Sequence, residues 1–223
     1  MKEKTITLRY TECYCLLIHF PGVSRLSLNR QNESEYIVRA QNGDKQAFGE
    51  LALFYRKNIC GLACRIIGNL DEAEDIAQNV FIRAFLALPR FTPKHDGSLK
   101  AWLLTITSRL CLDYLRRCKK QQIYLEGISY QNLDRVAADN NIVDIVVDSE
   151  EKKILCQALL QLPPNYRMAI ALKYIEELDY QEISQVMKVP LGTVGTWIRR
   201  GLAELRTDLN RKGDEHGAKL ATR

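Results

Sequence analysis

Between Asp44 and Asn69 the chain holds no proline, and its apolar residues return every three or four positions until Gly68-Asn69 breaks the run. Phe48, Leu51, Ile59, Leu62, Ile66 and Ile67, with Leu53 or Phe54, mark one face. That period belongs to a helix and not to a strand. It returns in Ile76, Val80, Phe81 and Ala84, and again in Trp102, Leu103, Ile106, Leu110 and Leu115. No strand pattern alternates with these helices, and no segment repeats another. A chain patterned this way is expected to be all-α, each helix burying its apolar stripe against a neighbour.

Punctuation divides the helices. Ser34 is a candidate cap for "SEYIVRAQNG", which stops at Asn42-Gly43. The run 71–88 opens on acids, as a helix N-terminus favours. A polar loop, "PRFTPKHDGS", separates it from the next helix, whose end is basic. These four helices are expected to form a first domain, residues 35–120. Residues 121–150 are rich in Asp and Asn, with weak periodicity, and read as a linker with enough apolar content to dock. Four shorter helices follow, the first stopped by Pro163-Pro164, giving a second domain over 151–210. The tail 211–223 is polar and expected to fray. Residues 1–34 read as an extension, strand-like but without a partner strand, or as an upstream start that the working protein does not use.

Composition excludes several classes. Lys plus Arg is 32 and Asp plus Glu is 27, a net +5 that permits a nucleic-acid partner without requiring one. Seven cysteines at wide, irregular spacing make a poor disulfide framework. Cys60 and Cys64 fall four apart in an apolar run and are expected to be core thiols. Cys13, Cys15 and His19 leave a zinc site one ligand short. Three histidines, no phosphate-cradling glycine loop and no metal motif argue against an enzyme and against any cofactor. The segment "CYCLLIHFPGV" is too short to span a bilayer and lacks a cleavage site, so no membrane insertion and a cytoplasmic location are expected.

The stretch "LDYQEISQVMKVPLGTVGTWIRRGLAEL" carries the chemistry. Tyr180, Ile183 and Met187 define the inner side of a short helix, and "KVPL" is a tight link. Val194, Ile198, Leu202 and Leu205 define the inner side of a longer one. Two helices so joined make a helix-turn-helix, whose second helix lies in the major groove with its N-terminal residues nearest the bases. Thr193, Thr196, Arg199 and Arg200 sit off the apolar stripe. Arginine there reads guanine edges or holds phosphate. Amides near Gly192 and Thr193 are candidate phosphate donors. A helical hairpin with a charged wet face is the bland alternative.

The block "LPPNYRMAIALKYIEELDYQEISQVMKVPLGTVGTWIRRGLAEL" resembles the promoter-reading domain of bacterial sigma-70 factors of the extracytoplasmic-function group. "DEAEDIAQNVFIRAF" is similar to that family's polymerase-clamp helix, and "AWLLTITSRLCLDYLRRCKK" to its −10 region. The resemblance runs over roughly residues 35–208, with both blocks in family order.

The resemblance implies a non-catalytic protein that binds core RNA polymerase, takes it to promoter DNA and helps open the duplex. Asp71, Glu74, Asp75, Gln78 and Phe81 would meet polymerase, although Asn79 stands where the family usually has Glu. Phe91, Lys94, His95, Ser98 and Lys100 would surround a base flipped from the −10 strand. Arg109, Asp113, Arg116, Arg117, Lys119 and Lys120 would follow the −10 backbone. Thr193, Thr196, Trp197, Arg199 and Arg200 would read the −35 element. Ser108-Arg109 stands where the family has Arg-Asn, and Gly195 and Trp197 stand where it often has Lys and Arg. The family's −35 preference is therefore not carried over. Trp197 is free to pack on a sugar edge, a thymine methyl or a neighbouring helix. The two-domain layout leaves room for an inhibitory anti-sigma protein without requiring one. Two rivals remain: a one-domain helix-turn-helix regulator, which leaves "DYLRRCKK" unexplained, and a helical adaptor or decoy that binds polymerase or an anti-sigma protein but barely binds DNA.

Overall fold

The computed structural model describes residues 32–93, 98–126 and 150–221, and the backbone alone at 98, 122–126, 150–154 and 212–221. The expectations for residues 1–31, for Lys94 and His95 and for linker residues 127–149 lie outside that range, and that for Ser98 cannot extend to its side chain.

Among the described residues all regular structure is helical. Helix α1 spans Glu33–Gln41 and starts one residue ahead of the expected Ser34 cap. Asn32 holds the cap position, but its side chain does not cap the first turn. The shift puts Glu33 inside, where Tyr55 Oη donates to its carboxylate at 2.7 Å. Helix α2, Lys45–Ile67, begins at Asp44, whose carboxylate accepts from the amides of Gln46 and Ala47. It ends at Gly68, φ +75°, a left-handed conformation that favours glycine. Helix α3, Leu70–Ala87, is capped by Asn69 and carries Asp71 and Glu72 in its first turn. A 3-10 turn, Leu88–Arg90, follows. Gln41 Nε2 holds that turn, donating to the carbonyls of Leu88 and Phe91 at 3.0 and 2.6 Å.

Helix α4 runs Ser98–Glu126, continuing past the basic run. The second half holds α5, Glu150–Gln161; α6, Pro164–Tyr174; α7, Tyr180–Met187; and α8, Leu191–Ala221. Pro164 opens α6, where its missing amide costs nothing. Asp179 and Glu182 form a reciprocal capping box on α7. The tail expected to fray instead prolongs α8 to Ala221.

The two helical domains pack against each other. One buried cluster runs from Tyr36 through Ile59, Leu62, Leu104 and Cys111 into Met168, Leu172, Ile183, Val194 and Ile198. Each such large side chain contributes about 1.5–3 kcal/mol by leaving water. Helix α7 packs on α4, α6 on α2 and α4, and α5 on α2. Two stripe residues differ from expectation. Tyr180 is 40% exposed, with Lys173 Nζ over its ring, and Leu202 also faces solvent. Both lie at the edge of their stripe, and Ile183, Val194 and Ile198 suffice to close the hairpin.

Candidate nucleic-acid interface and apolar groove

Helices α2 and α3 leave an open groove of about 690 Å³ between them. Its floor and walls are Phe48, Ala52, Phe81, Ile82, Phe85 and Leu86, and Lys45, Arg56, Glu74 and Gln78 supply the polar lining. The Phe48 and Phe85 rings meet edge to face at 5.1 Å. Of the residues expected at a polymerase contact, Glu74, Gln78 and Phe81 line this groove, whereas Asp71 and Asp75 do not. Phe81 is 6% exposed and belongs chiefly to the core. The most exposed apolar side chains along it are Ile82 at 58% and Leu86 at 73%. The sequence points to Phe81 with Ile82 beside it; Leu86 is found by asking which large apolar residues fall off the stripe. Asn79 turns onto its own helix, donating to the Asp75 carbonyl at 2.9 Å.

Beyond the 3-10 turn, Phe91 and Trp102 stack with centroids 4.7 Å apart and planes tilted by 31°. Both are half-buried against the core. Lys100 lies in the first turn of α4 but does not project freely toward a strand. Its Nζ is 3.0 Å from Glu176 Oε2 and donates to the Glu176 carbonyl at 2.9 Å. Sequence reasoning missed this pair because 76 residues separate its members. Further along α4, Arg109, Asp113, Arg116, Arg117 and Lys120 are exposed and Lys119 is half-buried. Asp113 holds Arg116 at 2.8 Å, two exposed groups one turn apart. Ser108 faces inward, its Oγ donating to Met168 Sδ at 3.4 Å.

On α8 the side chains of Arg199 and Arg200 are exposed, and Thr193, Thr196 and Trp197 are half-buried. Trp197 packs against the core cluster, which favours the neighbouring-helix role among those open to it. The Thr193 amide donates to the Pro190 carbonyl at 2.9 Å, so it is already used and is not a phosphate donor. Thr196 Oγ1 donates back to Gly192 O at 2.9 Å. Arg199 and Arg200 are thus the outward-facing charged groups on this turn.

Two thiols are kept unreactive by burial. Burial pushes Cys64 up to about 11 and Cys111 up to about 12, so both stay protonated at neutral pH. Cys60 and Cys64 are half-buried rather than fully enclosed, because Cys60 borders the groove. Among the described residues no group of His, Cys, Asp and Glu is placed to hold a metal ion, and no helix is long and apolar enough to cross a membrane.

Comparison with known proteins follows this division. Residues 53–121 match the family model for sigma-70 region 2, and residues 153–205 that for sigma-70 region 4. The chain is 38% identical over 181 residues to the ECF RNA polymerase sigma factor SigW of Bacillus subtilis, covering 78% of this chain and 94% of the relative. It is 38% identical over 211 residues to the ECF RNA polymerase sigma factor SigE of Mycolicibacterium smegmatis, covering 88% and 80%. The fold is shared with CnrH, solved with the cytosolic domain of CnrY, at a TM-score of 0.58 and 19% identity over 80% of this chain and 97% of that one. It is shared too with the sigma factor RpoE of Bartonella quintana, solved with the anti-sigma factor NepR, at 0.59 and 21% over 73% and 96%.

Proposed function

The chain belongs to the extracytoplasmic-function group of the sigma-70 family, and on that premise we propose that it binds core RNA polymerase, directs it to promoters through −10 and −35 elements, and promotes strand opening. One observation supports this best. An open apolar groove, a basic helix end and a helix-turn-helix with outward arginines occur together in one chain. A lone DNA-binding regulator has no need of the first two. The groove between α2 and α3 would take polymerase, with Ile82, Phe85 and Leu86 as apolar anchors and Glu74 and Gln78 at the polar margin. Arg109, Arg116, Arg117, Lys119 and Lys120 would hold −10 phosphates, and Phe91, Lys94, His95, Ser98 and Lys100 would border the opened strand. Arg199 and Arg200 would meet the −35 duplex.

No bond is made or broken by such a protein; the chemistry belongs to polymerase. Cytoplasmic work beside the nucleoid follows from that role. An anti-sigma protein is a natural further partner, since CnrH and RpoE were each solved with a partner chain.

Reconstituted transcription tests the reading. Purified chain is added to sigma-free core polymerase and a genomic promoter library, and RNA 5′ ends are sequenced. Discrete starts behind shared, spaced −35 and −10 elements are expected. Tight core binding without starts would indicate a decoy. Absence of core binding would end the sigma-factor reading.

A further inference from the structure

Three elements converge on one carboxylate. Glu176 stands in the turn after α6, and its side chain is 2% exposed. Asn58 Nδ2, from α2, donates to its Oε2 at 2.8 Å. Lys100 Nζ, from α4, lies 3.0 Å from the same oxygen and also donates to the Glu176 carbonyl at 2.9 Å. The next residue, Glu177, has φ +61°, a left-handed backbone uncommon for a residue other than glycine. The turn is fixed by the Glu176 amide on Ala171 O and the Leu178 amide on Leu172 O. The second domain thereby presents an acid to the first at a defined place.

We infer that Glu176 stands in for a nucleic-acid phosphate on Lys100, so that docking of the second domain and engagement of a single strand by Lys100 exclude one another. This rests on the proposed −10 role of the first turn of α4. An ammonium offers three donors, and Glu176 takes two of them through its carboxylate and its carbonyl. A strand phosphate would compete with Glu176 for the same ammonium. Neither partner leaves alone at low cost, because withdrawal of one strands the other's charge in a closed site. Lys100 is therefore released when α6 and α7 lift from α2 and α4 as a unit. Arg199 and Arg200 are exposed while the domains are docked, so the device withholds the strand-binding side and leaves the duplex-reading side open.

The test uses the full chain and a fluorescent single-stranded oligothymidine, since phosphate contact is independent of sequence. Glu176→Gln keeps a partner for Asn58 and removes the charge that holds Lys100. It should bind the strand about tenfold more tightly than the parent, with a salt slope steeper by about one phosphate. Glu177→Gln adds the same charge on an exposed neighbour and should show no such gain. Equal affinity for Glu176→Gln and parent, or an equal gain in both variants, would overturn the inference. A second measurement needs no change to the latch. Dyes attached through unnatural residues at exposed Glu35 and Glu204 report the separation of the domains. Saturating oligothymidine should lengthen it, and an unchanged separation at saturation would also overturn the inference. Core polymerase binding, measured beside it on the parent, shows separately whether the sigma-factor reading holds.

Discussion

Arg167 of α6 reaches across to the first domain and donates a hydrogen bond to the main-chain oxygen of Ile66, in the last turn of α2. Its other terminal nitrogen donates to the carbonyls of Leu160 and Leu162, at 2.8 and 3.0 Å. One buried cation thus satisfies orphan carbonyls at the ends of α2 and α5, where the helix dipoles are negative. Burial pulls the guanidinium down to about 10. A base whose folded pKa lies below its unfolded one loses stability while protonated and regains it only as pH rises past the folded value. Arg167 is therefore charged in both states around neutral pH and lends stability no pH dependence there.

Arg167→Ala strands three buried carbonyls, each costing about 1–3 kcal/mol, partly offset by the removed buried charge. A net loss of about 2–4 kcal/mol is expected in urea unfolding. A loss below about 0.5 kcal/mol, the range of an ordinary surface change, would show that the fork ties nothing together.

The groove separates contact from core. Ile82→Glu and Leu86→Glu place charge on side chains that already face water. Folding stability should change by no more than about 0.5 kcal/mol. Affinity for core polymerase should fall at least tenfold, about 1.4 kcal/mol or more. Phe81→Glu, by contrast, buries an unpaired carboxylate and should unfold the first domain. Surface plasmon resonance with core polymerase, beside thermal melts, separates the two. Unchanged polymerase affinity in both surface variants would remove the groove from the interface.

Local rules made much of this legible. The α2 boundaries follow from Asp44 and Gly68, and the helix-turn-helix from Ile183, Val194 and Ile198, because caps and 3.6-residue stripes are written within a few positions. The same helical period puts Arg199 and Arg200 outside the stripe, where both are exposed. What it could not reach was closure between the halves. Lys100 with Glu176, Asn58 with Glu176, and Arg167 with Ile66 join residues 76 to 118 positions apart. No periodicity encodes such a pairing. Lys100 consequently read as a free strand contact. Phe81 read as an anchor for a related reason: an apolar residue near the edge of a stripe looks alike in sequence whether a core or a partner covers it.

Two of the glycines of α8, Gly195 and Gly201, should respond oppositely to alanine. At Gly201 a new Cβ would lie 2.8 Å from Ile170 Cδ1 and 3.1 Å from Tyr166 Cβ, where α8 crosses α6. Relieving that contact should cost about 1–3 kcal/mol. At Gly195 a Cβ meets only Tyr180 Cε2, at 3.8 Å. Gly195→Ala should therefore stabilise by up to about 1 kcal/mol through helix propensity. Thermal melts check both signs. If Gly195→Ala is more stable yet loses duplex affinity, the glycine serves close approach to DNA; if affinity holds, it serves neither packing nor contact.

Arg199 and Arg200 face solvent, and neither forms an ion pair among the described residues. Their substitution should leave folding untouched. Each is expected to supply about 1–3 kcal/mol if it grips a base edge in two-pronged fashion, or about one unit of salt slope if it holds phosphate. Arg199→Ala and Arg200→Ala together should lower promoter-dependent initiation at least tenfold while core polymerase affinity stays within about twofold. Measuring initiation across promoter variants tells the two modes apart. Loss concentrated at one −35 position identifies base reading by that arginine, whereas uniform loss with a shallower salt dependence identifies phosphate contact. Initiation at the parental rate would take both residues out of the promoter interface and leave promoter choice to α4.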